Sequence, residues 1–406
     1  MWKLLVGAAA GGMVWLWLRS RRQAAAEWED MRGKAQLKLL PDEHGTIMSL
    51  APATNTITFF NGDGASAHVW MRRRLAEVLL ENPWLDGRLD TAEGGETVLL
   101  CREGKLAEGD ALPTMLFPMH RPEERGASVS RAMPYERLAA ALAAAGLLAK
   151  NGKDSVGRNE PIFKVALLLD AERPKERFAL VVSMNHVIGD GHTFYAVHNM
   201  LSKNVPVVPL NTTRNFAAPM AIESAMGHCE DVGESTRQLG FILRFATSIL
   251  LSKLLGANRK QGMCFLDDAW VAREKRAAAA GGLVEFVSTN DVVTSTFLRA
   301  SRADEAWMAV NFRGRIPGVG EAHAGNYESM IRYRPADYAS PALIRQSVGV
   351  LRRASQPPTA LPSSLGHLGC NHYALVTNWA TFAKELHVPI YHELAPERMR
   401  TCIIFR

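Results

Sequence analysis

Two runs of strand composition, Phe163 to Leu169 (FKVALLL) and Phe178 to Met184 (FALVVSM), flank one short polar segment, Asp170 to Arg177. Val- and Leu-rich runs of this length, bounded by a charged turn, predict two strands of a buried sheet. Directly after the second run the chain reads Asn185-His186-Val187-Ile188-Gly189-Asp190-Gly191, and helical spacing resumes from Gly191 to Leu201 through Phe194, Val197 and Leu201. A succession of strand, loop and helix calls for a sheet covered by helices, an α/β or α+β fold.

A chain of 406 residues exceeds one ordinary core and suits two domains of about 150 to 200 residues. With 47% hydrophobic and 22% charged residues it is globular, which excludes a disordered or fibrous chain. The net charge of +6 owes much to Arg19, Arg21 and Arg22 beside an apolar N-terminal run. No basic patch interleaved with aromatics follows, so nucleic acid is not an expected partner. The five cysteines are widely spaced without a CxxC pair, against a disulfide framework or zinc knuckle and in favour of a reducing compartment.

Leu4 to Leu18 (LLVGAAAGGMVWLWL) carries no charge. It is short for a spanning helix, since about 20 residues cross a hydrocarbon core, but Trp2, Trp15 and Trp17 suit the two interfaces. The basic cluster follows the run, unlike a cleaved signal peptide, and holds the following chain on the cytoplasmic side. Residues 1–18 are expected to form a membrane anchor and 19–45 a stem.

Further along, Thr54 to Phe60 reads as a strand ending at the turn Asn61-Gly62-Asp63-Gly64. Ala65 to Glu81 reads as a helix with Val69, Leu75, Val78 and Leu79 on its apolar face, stopped by Pro83, and Glu96 to Cys101 as another strand. Tyr135 to Lys150 is expected to be helical up to Asn151-Gly152. Ser202 to Ala218 reads as a crossover. Leu239 to Ala257 is strongly apolar: a core or lid helix, or a helix lying against a membrane. Phe286 to Val293, Trp307 to Phe312 and Ala374 to Asn378 supply strands for a second half. The domains are then 46–205 and 281–406, joined by the crossover and apolar helix of 206–280.

A histidine leaving a strand at this loop can face a cavity, and Asp190 can fold back or bind an arginine to fix the loop. Gly191 is read as supplying a backbone conformation costly for other residues. An ordinary imidazole is largely neutral at neutral pH, so His186 can accept a proton from a hydroxyl, amine or thiol attacking an acyl thioester. The oxyanion that develops needs a donor, for which Thr294, Ser295 and Asn378 are candidates by position.

His186 to Gly191, after VVSMN, resembles the HxxxDG motif shared by chloramphenicol acetyltransferase, plant BAHD acyltransferases, peptide-synthetase condensation domains and wax ester synthase/diacylglycerol acyltransferases. Glu81 to Leu89 (ENPWLDGRL) resembles the end of that superfamily's first helix. Ser288 to Val293 (STNDVV) resembles the opening of the second half in the plant branch, and Ala309 to Arg315 with Gly325-Asn326-Tyr327 resembles its "vdxRxR…GN" stretch. The resemblance implies two similar half-domains, each a mixed sheet with helices, and a channel between them. It also implies His186 as base, Asp190 as structural aspartate paired with Arg313 or Arg315, no bound cofactor or metal, and acyl-CoA as co-substrate. Two features depart from the pattern: Asn185 replaces the doubled histidine of several branches, and the DFGWG motif is absent. Members continue beyond a strand like Thr401 to Phe405, so the resemblance implies a shortened second half.

The expected activity is acyl transfer from acyl-CoA to a hydroxyl or amine acceptor. The anchor and the apolar stretch favour a lipid-like one, a long-chain alcohol or a glyceride. Two rival readings remain: a metal site of His186, Asp190 and His192, which lacks a further ligand, and a non-catalytic protein that only holds an acyl thioester or a partner.

Overall fold

The computed structural model describes residues 35–101, 119–120, 128–227, 238–254, 262–355, 360–370, 372–384, 386–388 and 402–405. Two compact units divide the chain. One is Met1–Arg214 with Ala322–Asn326 and Lys384–Leu394; the other is Asn215–Glu321, Tyr327–Ala383 and Ala395–Arg406. No helix among the described residues is long and apolar enough to cross a membrane. The expected anchor, 1–18, and most of the stem lie outside those residues.

The first unit has two sheets. β1 (Ala35–Lys38), β4 (Thr97–Cys101) and β3 (Arg88–Thr91) form one in the order β1-β4-β3; β2 (Thr54–Asn61), β7 (Arg177–Met184), β6 (Phe163–Leu169) and β5 (Met119–His120) form the other in the order β2-β7-β6-β5. β2, β7 and β6 run antiparallel, with Phe60 opposite Phe178 and Phe163 opposite Met184. The Phe60 and Phe178 rings stack at 5.0 Å. Alternate residues divide by size. Phe163, Val165, Leu167, Phe178, Leu180, Val182 and Met184 pack beside α1 (Gly64–Glu81) and α3 (Gly191–Met200), whereas Ala166, Leu168, Ala179 and Val181 pack beside α2 (Tyr135–Ala144). A one-residue slip would press the phenylalanines onto the side fitted for smaller groups. Register is therefore set by packing, each large buried side chain contributing about 1.5–3 kcal/mol. This fixes where β7 ends and hence where His186 begins.

Three expectations here need correction. Val69 is 56% exposed; the buried face of α1 runs through Ala67, Met71, Leu75, Val78 and Leu79, and Asp63 caps it by accepting from Ser66 N at 2.9 Å. α2 stops at Ala144 instead of Lys150, because Gly146 at φ +68 terminates it and Leu147 N turns back to the Leu142 carbonyl. The third lies in the second unit: Phe286 to Val293 is not a strand. Ser288 opens α5 (Thr289–Ser301) with a capping box, its hydroxyl accepting from Asp291 N at 3.2 Å while the Asp291 carboxylate accepts from Ser288 N at 2.6 Å. Phe286, Val287, Val292 and Val293 have strand composition, but the Ser288 cap decides for helix.

The second unit also contains α4 (Leu239–Leu254), α6 (Pro341–Val350) and two further sheets. β9 (Glu305–Asn311) lies between β10 (Glu328–Tyr333) and β11 (Tyr373–Val376), and β8 (Gly262–Phe265) pairs with β12 (Cys402–Phe405). The core-helix reading of the apolar stretch fails, since Phe241 is buried while Leu239, Ile242, Leu243, Phe245, Leu250 and Leu254 are exposed.

Candidate active site

β7 is flanked on both sides by hydrogen-bonded strands, so it delivers the following residues from a rigid base. Asn185 leaves it fully buried and binds its surroundings through backbone and side chain, its amide also donating to Ser155 Oγ at 3.2 Å. Its backbone N–H donates to the Ile162 carbonyl at 2.7 Å, its amide to the Lys150 carbonyl at 2.9 Å, and its Oδ1 accepts from Val187 N at 2.9 Å. The last bond opens a single 3-10 turn, His186–Ile188. Asn185 is thus the cap of the turn that carries His186.

Val187 and Ile188 are buried in the core, and His186 alone of this turn is partly exposed. Its Nδ1 is enclosed and has no hydrogen-bond partner among the described residues. The backbone of the turn thus places the ring, which is partly exposed at a part other than the enclosed Nδ1.

Asp190 folds back as expected, its carboxylate accepting from Thr193 N at 2.9 Å to cap α3. Gly191 corrects the sequence argument, for it does not lie at positive φ. The glycine that the loop requires is Gly189, where an added Cβ would stand 2.6 Å from the Thr193 methyl.

The turn is also clamped from outside. Asn326 donates through its amide to the carbonyls of His186 at 3.0 Å and Val187 at 3.2 Å, and Arg214 donates to that of Ile188 at 3.1 Å. Glu43 joins the two clamps. Its carboxylate accepts from Arg214 Nε at 2.8 Å, from Asn326 N at 2.8 Å and from Leu40 N at 2.7 Å, and both charged side chains are almost wholly buried. Gly325 completes the arrangement. Its carbonyl accepts from Asp190 N and from the Thr193 hydroxyl, and its N–H donates to the same hydroxyl at 3.1 Å.

Of these residues the sequence singled out only Gly325 and Asn326, without a role. Glu43 and Arg214 lie 171 positions apart and in no motif, so nothing local marked them. Gly325 stands at φ +130, and a Cβ there would lie 2.9 Å from the Arg214 guanidinium carbon. Gly325→Ala is expected to cost about 1–3 kcal/mol from backbone strain alone, measured by urea unfolding. A change below the error of that measurement would show the backbone relaxing freely.

His198, in the last turn of α3, is buried and stacks on Phe194 at 5.8 Å. Burial pushes its pKa down from 6.5 to about 4, against a smaller opposing pull from Asn199. The unfolded chain therefore binds this proton near pH 6.5 and the folded chain only near pH 4. The stability linked to it is present above pH 6.5 and lost as pH falls through that window, by about 3 kcal/mol. In urea titrations at pH 7 and 4, His198→Phe should lose less stability than wild type by roughly that amount. Equal losses would contradict it.

The remaining candidates lie in the second unit. Thr294 and Ser295 are buried on α5; the Thr294 hydroxyl donates to Asn290 Oδ1 at 3.4 Å and that of Ser295 to the Tyr338 carbonyl at 2.9 Å. Asn378, beyond β11, accepts from Ala380 N at 3.0 Å. Arg313 is buried, donates to Asn311 Oδ1 at 3.0 Å and lies over the Tyr327 ring at 5.2 Å, while Arg315 donates to the Val348 carbonyl at 3.3 Å. His367 is enclosed with Glu305, Arg332 and Tyr373, its Nδ1 3.0 Å from the tyrosine oxygen. Among the described residues no three His, Cys, Asp or Glu stand close enough together to hold a metal ion.

No protein-family model matches the chain, and no curated protein matches its sequence. Solved structures do. TRI101 of F. graminearum complexed with coenzyme A and T-2 mycotoxin superposes with a TM-score of 0.54 and 14% identity, over 92% of this chain and 90% of that one. The same protein with coenzyme A and deoxynivalenol gives 0.52 at 14% identity, over 86% of this chain and 85% of that one. TRI101 of F. sporotrichioides with coenzyme A and T-2 gives 0.51 at 15%, over 86% and 84%. The chain shares their fold. At these identities the likeness concerns the fold alone, and it agrees with the α/β class expected from the sequence.

Proposed function

We propose that the protein transfers an acyl group from an acyl thioester, acyl-CoA, to a hydroxyl or amine acceptor, with His186 as general base. The observation that carries this reading is the imidazole itself: partly exposed, on a turn whose three carbonyls are all bound by Asn326 or Arg214. The coenzyme A held by structures of the same fold supports the choice of donor.

In this mechanism His186 takes the acceptor proton as the acceptor oxygen or nitrogen attacks the thioester carbonyl. The tetrahedral intermediate collapses with cleavage of the C–S bond, and the leaving thiolate receives the proton from the imidazolium. No covalent enzyme intermediate is needed. Oxyanion stabilisation by Thr294 or Asn378 belongs to the proposal, since the single Ser295 hydroxyl proton is already given to the Tyr338 carbonyl; so does a pairing of Asp190 with Arg313 or Arg315. A double-mutant cycle should give that pairing a coupling of about 0.5–3 kcal/mol, and additivity would remove it. So do a lipid-like acceptor and anchoring through 1–18 with the catalytic part on the cytoplasmic side.

The test is release of free thiol by the full chain from acyl-CoA donors of graded length, with alcohol, glyceride and amine acceptors. Acceptor-dependent release supports acyl transfer. Binding of acyl-CoA without release under any pairing would contradict it and favour a holding role.

A further inference from the structure

The helix α4 presents an arrangement that a water-facing helix does not have. Along Leu239–Leu254 the side chains of Leu239, Ile242, Leu243, Phe245, Leu250 and Leu254 are all exposed, between 47% and 72%. The opposite side is pinned to the protein. An added Cβ on Gly240 would meet the Ser364 carbonyl oxygen at 1.6 Å, Phe241 packs on Trp307 and Tyr373, and Arg244 donates through Nε to the Cys370 carbonyl at 2.8 Å. The segment touching Gly240 and Arg244 adds exposed Leu365 and Leu368. So large an apolar face calls for a partner.

Charge selects the occupant. From residue 235 to 266 the sequence contains Arg237, Arg244, Lys253, Arg259 and Lys260 and no aspartate or glutamate. Apolar residues on a segment that carries only basic charges between Glu234 and Asp267 match an anionic lipid surface, whose acyl region takes the leucines and whose headgroups are of opposite charge to the segment. The geometry restricts the mode. Sixteen residues at about 1.5 Å each give roughly 24 Å, short of the ~30 Å hydrocarbon core, and the Gly240 and Arg244 contacts tie the helix to its unit.

We propose that α4 lies in the plane of an anionic membrane surface, with Leu239, Ile242, Leu243, Leu250 and Leu254 in the acyl boundary. This is independent of the acyl-transfer proposal, because it rests on a different element and requires no turnover.

The full chain carries another apolar run at its N-terminus, so the test must report on α4 itself. A nitroxide on Leu250→Cys, compared with one on Val69→Cys and with the identically labelled parent chain, is read by collision with oxygen and with a water-soluble nickel chelate. On adding phosphatidylcholine vesicles containing phosphatidylserine, the Leu250 label should lose nickel accessibility several-fold and gain oxygen accessibility, while the Val69 label stays in water. Leu243→Glu with Leu250→Glu should restore nickel accessibility to a label at Leu254→Cys on vesicle-bound protein, since two carboxylates do not enter the acyl boundary. A Leu250 label that stays water-accessible on vesicle-bound protein overturns the proposal. A label shielded before vesicles are added, in a chain that sediments as a dimer, also overturns it, because a second copy then covers the face.

Discussion

Glu43→Ala is expected to destabilise the first unit by about 3–5 kcal/mol, an effect large enough to threaten a domain of ordinary stability. The substitution removes the acceptor of Arg214 Nε, Asn326 N and Leu40 N in one step and leaves the Arg214 cation buried without its counter-charge. Arg214 also donates to the carbonyls of Thr212, Ala324 and Ile188, and those bonds hold a guanidinium that cannot shed its charge. The ion pair need not add net stability over a well-packed apolar pair; the penalty comes from breaking one side only. The double variant Glu43→Leu with Arg214→Met should therefore recover much of the loss. Urea unfolding of the two variants checks this. A cost below about 1 kcal/mol for Glu43→Ala would mean that the clamp is not stressed by losing its centre.

Legibility in the sequence followed the range of each interaction. The β6–β7 hairpin was readable because two apolar runs and one charged turn are contiguous, and the helix after Asp190 because Phe194, Val197 and Leu201 recur at helical spacing within one short segment. Errors arose where a local cue had a rival close by: Phe286 to Val293 reads as strand until the Ser288–Asp291 box is weighed, and the alanine-rich run past Ala144 reads as helix until Gly146 is given its left-handed conformation. The clamp was not readable at all. Glu43, Arg214 and Asn326 come together only through the tertiary fold, and a lone glutamate or arginine has no signal that separates burial from a solvated face. The motif singled out His186. It did not reveal that Asn185 is the residue that builds the turn.

The central claim is that His186 moves a proton, and the structure makes it cleanly testable. No described group depends on the Nδ1 of the ring, while the backbone of the turn is held by Asn185, Asn326 and Arg214. His186→Ala should therefore fold with an unfolding midpoint close to that of wild type. For the donor and acceptor pair with the highest rate of thiol release, kcat should fall by roughly 100- to 10,000-fold with little change in KM, the range for losing a general base. A folded His186→Ala protein that releases thiol as fast as wild type would contradict the account and leave His186 a structural residue.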